Sequence, residues 1–382
     1  MTTLLLLTIY LAFISLGLPD SVLGSAWPVM QIELGVPIET AGLISLVIAG
    51  NTIISSLFSG IVIKRLGTGL VTLLSCVMTA TSLVGFSFAP SVFWLIMLAV
   101  PLGLGGGSVD AGLNSYVAAH YRAHHMNWLH CFWGVGATLG PIIMSFHIAN
   151  ADWRSGYFSI AMLQFVLVVV LLVSLPLWKR AAQANQAMHE QAEQQHGQHA
   201  PIGRQGVKYA LLAFLFYCGV ESATGLWGSS FLVNIKHLSP ADAAGWVSLF
   251  YAGITVGRLV SGFISFKVAN KVLIRWSQII VLSGTLLFML PLPAFISLAG
   301  FLIVGLGCAP IFPSMIHETP VRFGQEQSQK IIGYQMASAY TGSTLLPPFL
   351  GFLAAQTSII IFPMFVAVCA VLMLICSERI NT

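Results

Sequence analysis

Long apolar segments alternate with short polar ones along almost all of this chain of 382 residues. A helix needs about 20 apolar residues to cross the hydrocarbon core of a bilayer. The pattern predicts twelve such spans, at about residues 4–30, 38–62, 69–89, 92–119, 127–149, 156–178, 207–234, 240–266, 271–290, 294–317, 329–355 and 358–376. We therefore expect an all-α membrane protein with twelve transmembrane helices.

The second half of the sequence repeats the first. Asp20-Ser21-x-x-Gly24 returns as Glu221-Ser222-x-x-Gly225, at an offset of 201. Three more matches follow in the same order: Ser59-Gly60 with Ser261-Gly262, Gly103-Leu104-Gly105 with Gly305-Leu306-Gly307, and Gly136 with Gly342. Two parallel halves with a site between them are typical of secondary transporters. We predict an N-terminal six-helix half over 1–178, a cytoplasmic linker over 179–206 and a C-terminal half over 207–382.

Composition and charge support a membrane protein. The chain is 57% hydrophobic and 7% charged, whereas a soluble domain carries roughly 25% charged residues. If the N-terminus is cytoplasmic, thirteen lysines and arginines fall in inner loops and two in outer loops. This excess follows the positive-inside rule. It predicts a plasma (inner) membrane protein with both termini cytoplasmic, and it explains the net positive charge without a nucleic-acid partner.

The predicted linker is the most polar segment. It contains His189, His196 and His199 in a Gln-rich run. These histidines lack the spacing of a structural zinc site, so a solvated linker is the interpretation and no metal or other cofactor is predicted. The six cysteines all lie in predicted spans and are read as packing residues.

Ionisable side chains inside the spans are the main functional signal. An ionised group in lipid is costly, so such groups usually mark ion or substrate pathways. Asp20 and Glu221 occupy repeat-related positions in spans 1 and 7, and Asp110 lies in span 4. A carboxyl group without water favours its neutral form and can exchange a proton near neutral pH. These three acids are the predicted proton-coupling residues, although each could instead be a structural acid, paired or neutral.

Proline and glycine surround the first two aspartates. Pro19 and Pro28 flank Asp20, so span 1 is expected to be interrupted there. Asn114 follows Asp110 by one helical turn, after a glycine run that permits a close neighbour. Arg258, in span 8, is predicted to have a structural or gating role, either snorkelling to the membrane surface or pairing with Glu318.

Aromatic and amide side chains inside the spans could bind a sugar-like solute. Aromatic rings stack on the apolar faces of sugars, and amides bond to hydroxyl groups. The predicted substrate-binding residues are Asn51, Asn114, His130, Trp133, Tyr217, Trp227, Gln335, Ser338 and Tyr340.

The chain resembles the major facilitator superfamily over essentially its whole length. Gly60-Ile-Val-Ile-Lys64-Arg65-Leu-Gly67 is similar to its G-x-x-x-D-R-x-G loop, with Lys64 in the place of the acid. In that family the loop takes part in gating, so Lys64 and Arg65 are assigned to gating with Arg258 and Glu318.

A finer resemblance is to the fucose/galactose/glucose:proton symporter branch. Pro19-Asp20 and Asp110-x-x-x-Asn114 resemble its first and fourth helices, with Asp in place of Glu at 110, and residues 305–313 resemble its tenth. His130 stands where the branch has a polar residue. The resemblance implies a role in proton transfer for Asp110, and in sugar binding or coupling for Asp20.

Together these features predict a symporter that moves a sugar or similar polar solute with a proton by alternating access. Sodium is the alternative coupling ion, and a monomer would suffice for function. The first rival is a proton-driven efflux antiporter for drugs or metabolites, and the second is a non-transporting sensor or scaffold. No enzyme is predicted, because no metal motif or nucleophile–base pattern occurs.

Overall fold

The computed structural model describes residues 2–121, 123–189, 204–265, 267–290 and 293–381, which are helical and contain no strand. The helices are α1 Thr2–Asp20, α2 Val22–Glu33, α3 Thr40–Leu66, α4 Thr68–Phe88, α5 Val92–His120, α6 Ala123–Asn150, α7 Trp153–His189, α8 Arg204–Asn234, α9 Pro240–Ile264, α10 Asn270–Met289, α11 Ala294–Cys308, α12 Ile311–Phe323, α13 Gln325–Gln356 and α14 Phe362–Asn381. A short 3-10 turn, Ile359–Ile361, precedes α14.

The fold is the predicted twelve-helix membrane bundle. Eleven segments of the described chain are long and apolar enough to cross a membrane, with α1–α2 and α11–α12 each forming one of them. The predicted span missing from this set is that of α13, the eleventh in chain order (329–355); this helix begins with a polar turn. Its 32 residues would extend about 48 Å, ample for a bilayer.

The predicted interruption of the first span is confirmed. α1 ends at Asp20, Ser21 forms a turn, and α2 begins at Val22. Pro19 has no N–H to donate within the helix and its ring crowds the preceding turn. The repeat-related helix α8 is continuous through Glu221, because Val220 stands at the equivalent position. A second break, between α11 and α12 at Ala309 and Pro310, was not predicted.

The sequence repeat corresponds to repeated helix packing. A Cβ atom added to Gly103 would overlap the backbone carbonyl of Ile48, and one added to Gly305 would overlap that of Phe250. Both pairs are related by the same offset of 202. Gly136 likewise approaches the carbonyl of Ile14. Its equivalent, Gly342, approaches the carbonyl of Leu215. The matching glycines are therefore sites where the same helix pairs cross closely in each half.

Helical structure extends into the predicted linker from both sides. α7 continues beyond residue 178 to His189, and α8 begins at Arg204. His196 and His199 lie outside the described residues.

The two halves are in contact along α6 and α9, and they also meet at the end of the bundle away from the chain termini. There α2 packs on α8, and α3 packs on α13. Gly24 lies against the backbone of Gly225 and Leu226, and Gly42 against Pro348. By contrast α1, nearer the termini, packs mainly on α6 and α7 of its own half. The bundle is thus closed at the end that contains residues 24–42.

Candidate functional site

A cavity of about 290 Å³ lies between the two halves. Four of the predicted site residues line it: Asp20, Trp133, Glu221 and Tyr340. Sequence reasoning missed seven hydroxyl-bearing lining residues, namely Ser15, Ser45, Thr52, Thr79, Ser222, Tyr251 and Ser343. The broken first helix supplies the wall around Asp20, whose side chain is exposed to the cavity although it lies deep in the bundle.

Trp133 connects Asp20 to the second half. Its Nε1 donates a hydrogen bond of 2.8 Å to Asp20 Oδ2. The guanidinium carbon of Arg258 lies 5.3 Å from the centroid of the Trp133 ring, within the range of a cation–π contact. One indole therefore contacts both the acid of α1 and the arginine of α9.

Arg258 pairs with Glu221, and the predicted pairing with Glu318 is wrong. Arg258 Nη2 lies 3.8 Å from Glu221 Oε1, and both side chains are largely buried. Arg258 Nη1 also donates to the backbone oxygen of His130 at 3.4 Å. Glu318 instead accepts from Arg322 within α12, at 3.0 Å. Arg258 therefore contacts Asp20 only through Trp133, whose indole bonds to that acid.

Asp110 lies next to the cavity and is bonded to both halves. Asn114 Nδ2 donates to Asp110 Oδ1 at 2.8 Å, as the one-turn spacing suggested. Tyr340 Oη, from α13, donates to Asp110 Oδ2 at 3.3 Å. Each carboxylate oxygen thus has a donor, one from its own helix and one from the opposite half.

Seven predicted substrate-binding residues lie outside the cavity lining: Asn51, Asn114, His130, Tyr217, Trp227, Gln335 and Ser338. Asn51 donates to the carbonyl of Val47, Ser338 to that of Leu211 and Trp227 to that of Pro347. Gln335 accepts from Thr319, and the buried Tyr217 packs on Phe312. The hydrogen bond of Asn51 lies within α3, whereas the other four side chains just described contact neighbouring helices in this conformation.

The remaining predicted residues lie at the margins of the site. His130 packs edge-on against Phe13, with ring centroids 6.0 Å apart. Lys64 and Arg65 are exposed at the end of α3. Gly67 follows them with a φ of 79°, a conformation that glycine adopts without strain. Within the described residues, no three His, Cys, Asp or Glu side chains converge to hold a metal ion.

Tyr251 was missed although the repeat contained a signal for it. Its hydroxyl occupies the space where a side chain on Gly225 would lie. Its ring also contacts Trp133, with centroids 6.4 Å apart. The glycine of the repeated motif therefore makes room for an aromatic residue of the cavity wall.

Comparison with known proteins identifies the family. The sequence model described as Major Facilitator Superfamily matches residues 9–317. The chain belongs to the Major Facilitator Superfamily and is a multi-pass membrane transporter.

Relatives of known name share modest identity. Glucose/mannose transporter GlcP of Bacillus subtilis is 26% identical over 70% of this chain and 68% of its own length. Sodium-dependent glucose transporter 1 of Danio rerio is 25% identical over 94% of this chain and 66% of its own. Niacin transporter NiaP of Acinetobacter baylyi is 26% identical over 37% of this chain and 32% of its own.

Solved structures share the fold at lower identity. A mutant of nucleoside transporter NupG has a TM-score of 0.76 and 14% identity, covering 99% of this chain and 98% of that one. An inward-facing, occupied bacterial homolog of the human lysosomal transporter Spinster has a TM-score of 0.72 and 12% identity, covering 100% of this chain and 96% of that one.

Proposed function

We propose that this transporter is a proton-coupled symporter for a sugar or a similar small polar solute. The observation that carries the proposal is the arrangement of acids around one cavity: Asp20 and Glu221 line it, and Asp110 is bonded to the lining residue Tyr340. Acids placed inside a membrane bundle at a substrate cavity are typical of proton-driven carriers.

The cavity lining favours a neutral, hydroxylated solute. Trp133 and Tyr251 offer aromatic faces, and Ser15, Thr52 and Ser222 offer hydroxyl groups. No lysine or arginine is among the lining residues that the structure describes, so an anionic solute would meet two carboxyl groups without a lining cation. Two relatives named for glucose transport support the same solute class.

Coupling would arise at Asp110 and Asp20. Asp110 accepts a hydrogen bond from the opposite half, so its protonation would weaken one of the contacts that hold the halves in this arrangement. A neutral acid is also cheaper to carry through an occluded state than a charged one. Loading of a proton and of solute would then favour the same conformational change.

The decisive test uses purified protein in liposomes. Uptake of radiolabelled glucose is measured under an inward pH gradient, an inward sodium gradient, or neither. We expect stimulation by the pH gradient in wild type, and loss of that stimulation in Asp110→Asn. Asp152→Asn, which changes an exposed acid in the α6–α7 connection, is the matched control and should behave as wild type. Glucose uptake that responds only to sodium would exclude proton coupling.

An efflux antiporter is the second candidate, and the apolar part of the cavity favours it. Leu16, Leu23, Ile48, Leu102 and Leu226 line the same space as the acids, a combination that could also accept a lipophilic cation. A competition panel distinguishes the two. Protection from thermal unfolding by hexoses supports the symporter, whereas protection confined to lipophilic cations supports the antiporter.

A further inference from the structure

Pro19 leaves a backbone acceptor without its helical donor. In a regular helix the N–H of residue 19 would donate to the carbonyl of residue 15, but proline has no N–H. Ser15 is buried and lies one turn before Pro19 in α1. A carbonyl at this depth has little access to water, so a lost hydrogen bond there would be costly.

The side chain of Gln164 replaces the missing donor. Gln164 lies in α7 and is 1% exposed. Its Nε2 donates to the backbone oxygen of Ser15 at 2.6 Å. Its Oε1 accepts from the hydroxyl of Ser15. The amide is therefore bonded twice to one residue of α1.

This pair of bonds lies behind the part of the cavity wall that presents Asp20. Ser15, Pro19 and Asp20 all line the cavity, whereas Gln164 does not. Asp20 is the last residue of α1, directly after the proline. The direction of its side chain thus depends on how the chain bends between Ser15 and Val22.

We propose that Gln164 is a positioning residue: it holds the Ser15 carbonyl and so fixes the bend that presents Asp20 to the cavity. The functional part of this inference rests on the proposed role of Asp20. The hydrogen-bond part does not, because it concerns only the backbone acceptor that Pro19 leaves free.

A double-mutant cycle on the purified full chain tests the hydrogen-bond part. Gln164→Met removes the donor at similar volume and should lower the melting temperature by about 4 °C, the scale of one lost buried hydrogen bond. Pro19→Ala restores an N–H that can donate to Ser15. We expect Gln164→Met to lower the melting temperature much less in the Pro19→Ala background.

Gln278→Met is the matched control. Gln278 is also fully buried and donates to Ser377 Oγ at 2.7 Å, in the other half. Its effect should be the same in the wild-type and Pro19→Ala backgrounds. Equal effects of Gln164→Met in both backgrounds would overturn the proposal. If Gln164→Met folds only when combined with Pro19→Ala, that rescue supports the proposal. If neither the single nor the double variant folds, Pro19→Ala does not compensate for the lost donor and the proposal fails.

Chemical labelling tests the positioning part. A hydrophobic carbodiimide adds to a protonated carboxyl group without a leaving group, and mass spectrometry measures the product at Asp20 and at Asp110. We expect Gln164→Met to reduce labelling of Asp20 relative to Asp110, and Gln278→Met to leave the ratio unchanged. An unchanged ratio in Gln164→Met would show that Gln164 has only a structural role and does not position Asp20.

The two proposals can fail separately. The melting and labelling experiments require no solute and no proton gradient. If Gln164→Met changes Asp20 labelling but no pH gradient drives glucose uptake, proton–sugar symport fails and the positioning role stands. If symport holds but the labelling ratio is unchanged, the positioning role fails.

Discussion

The indole N–H of Trp133 bonds to the carboxylate of Asp20 over 2.8 Å, between α6 and α1. Because Arg258 packs over the same ring and pairs with Glu221, the contacts run from an acid of one half to an acid of the other. The repeat relates these two acids, and Trp133 with Arg258 forms the physical connection between them.

Trp133→Phe should reduce transport while leaving the fold intact. Phenylalanine retains an aromatic face for Arg258 but has no N–H for Asp20. A hydrogen bond to a charged group contributes about 1.5–3 kcal/mol, so we expect roughly a tenfold or greater fall in the initial rate of glucose uptake. Trp227→Phe is the control, since it also loses one indole hydrogen bond, to Pro347, but outside the cavity. Equal losses in both variants would contradict the connecting role.

Arg258 and Glu221 should show strong energetic coupling. Arg258→Ala leaves a largely buried carboxylate without its partner, and Glu221→Gln leaves an unpaired guanidinium. The double variant removes both charges. We expect its melting temperature to lie above that of Arg258→Ala, with a coupling energy of about 1–3 kcal/mol in a double-mutant cycle. Strictly additive effects would show that the pair contributes no net interaction.

Gly24→Ala should prevent the closed arrangement of α2 and α8. Its methyl group would overlap the backbone of Gly225 and Leu226, which cannot move aside as a flexible side chain could. We expect a cysteine at Ser222→Cys to react faster with an impermeant maleimide added on the side opposite the termini. Gly50→Ala is the control, because nothing lies near its Cβ position. Adding it to Ser222→Cys should leave the rate of the maleimide reaction unchanged.

A disulfide between α6 and α9 should arrest the transporter in the present conformation. Ser145 Cβ lies 3.6 Å from the position of a Cβ on Gly245, within the range of a disulfide. We expect oxidised Ser145→Cys/Gly245→Cys to lose uptake and to recover it when a reductant is added. Each single variant should be insensitive to oxidation. Full uptake by the cross-linked protein would show that transport does not require α6 and α9 to separate at Ser145 and Gly245.

Much of the fold could be predicted because its determinants are local in sequence. Apolar length defined the twelve spans, and Pro19 predicted the break in the first. The break at Pro310 was missed, although a proline marks it as well, because the apolar run continues on both sides. The span in α13 was predicted despite the polar first turn of this helix, because a long apolar segment follows that turn.

The candidate site was less predictable. Asp20, Trp133, Glu221 and Tyr340 were predicted and do line the cavity, whereas Trp227 and Gln335 bond to neighbouring helices. When a helix is apolar on every side, the spacing of its apolar residues does not indicate which face lines the cavity. Gln164 was missed because its acceptor is a backbone carbonyl on another helix, which no side-chain pattern reveals.

By itself, the sequence determined that this is a membrane protein of two related halves with acids inside its spans, because hydropathy, proline and repetition are properties of short segments. Only the tertiary structure decided that Arg258 pairs with Glu221 rather than Glu318, and that Trp133 joins Asp20 to that pair. Those contacts depend on the depth and rotation of each helix, which long-range packing sets.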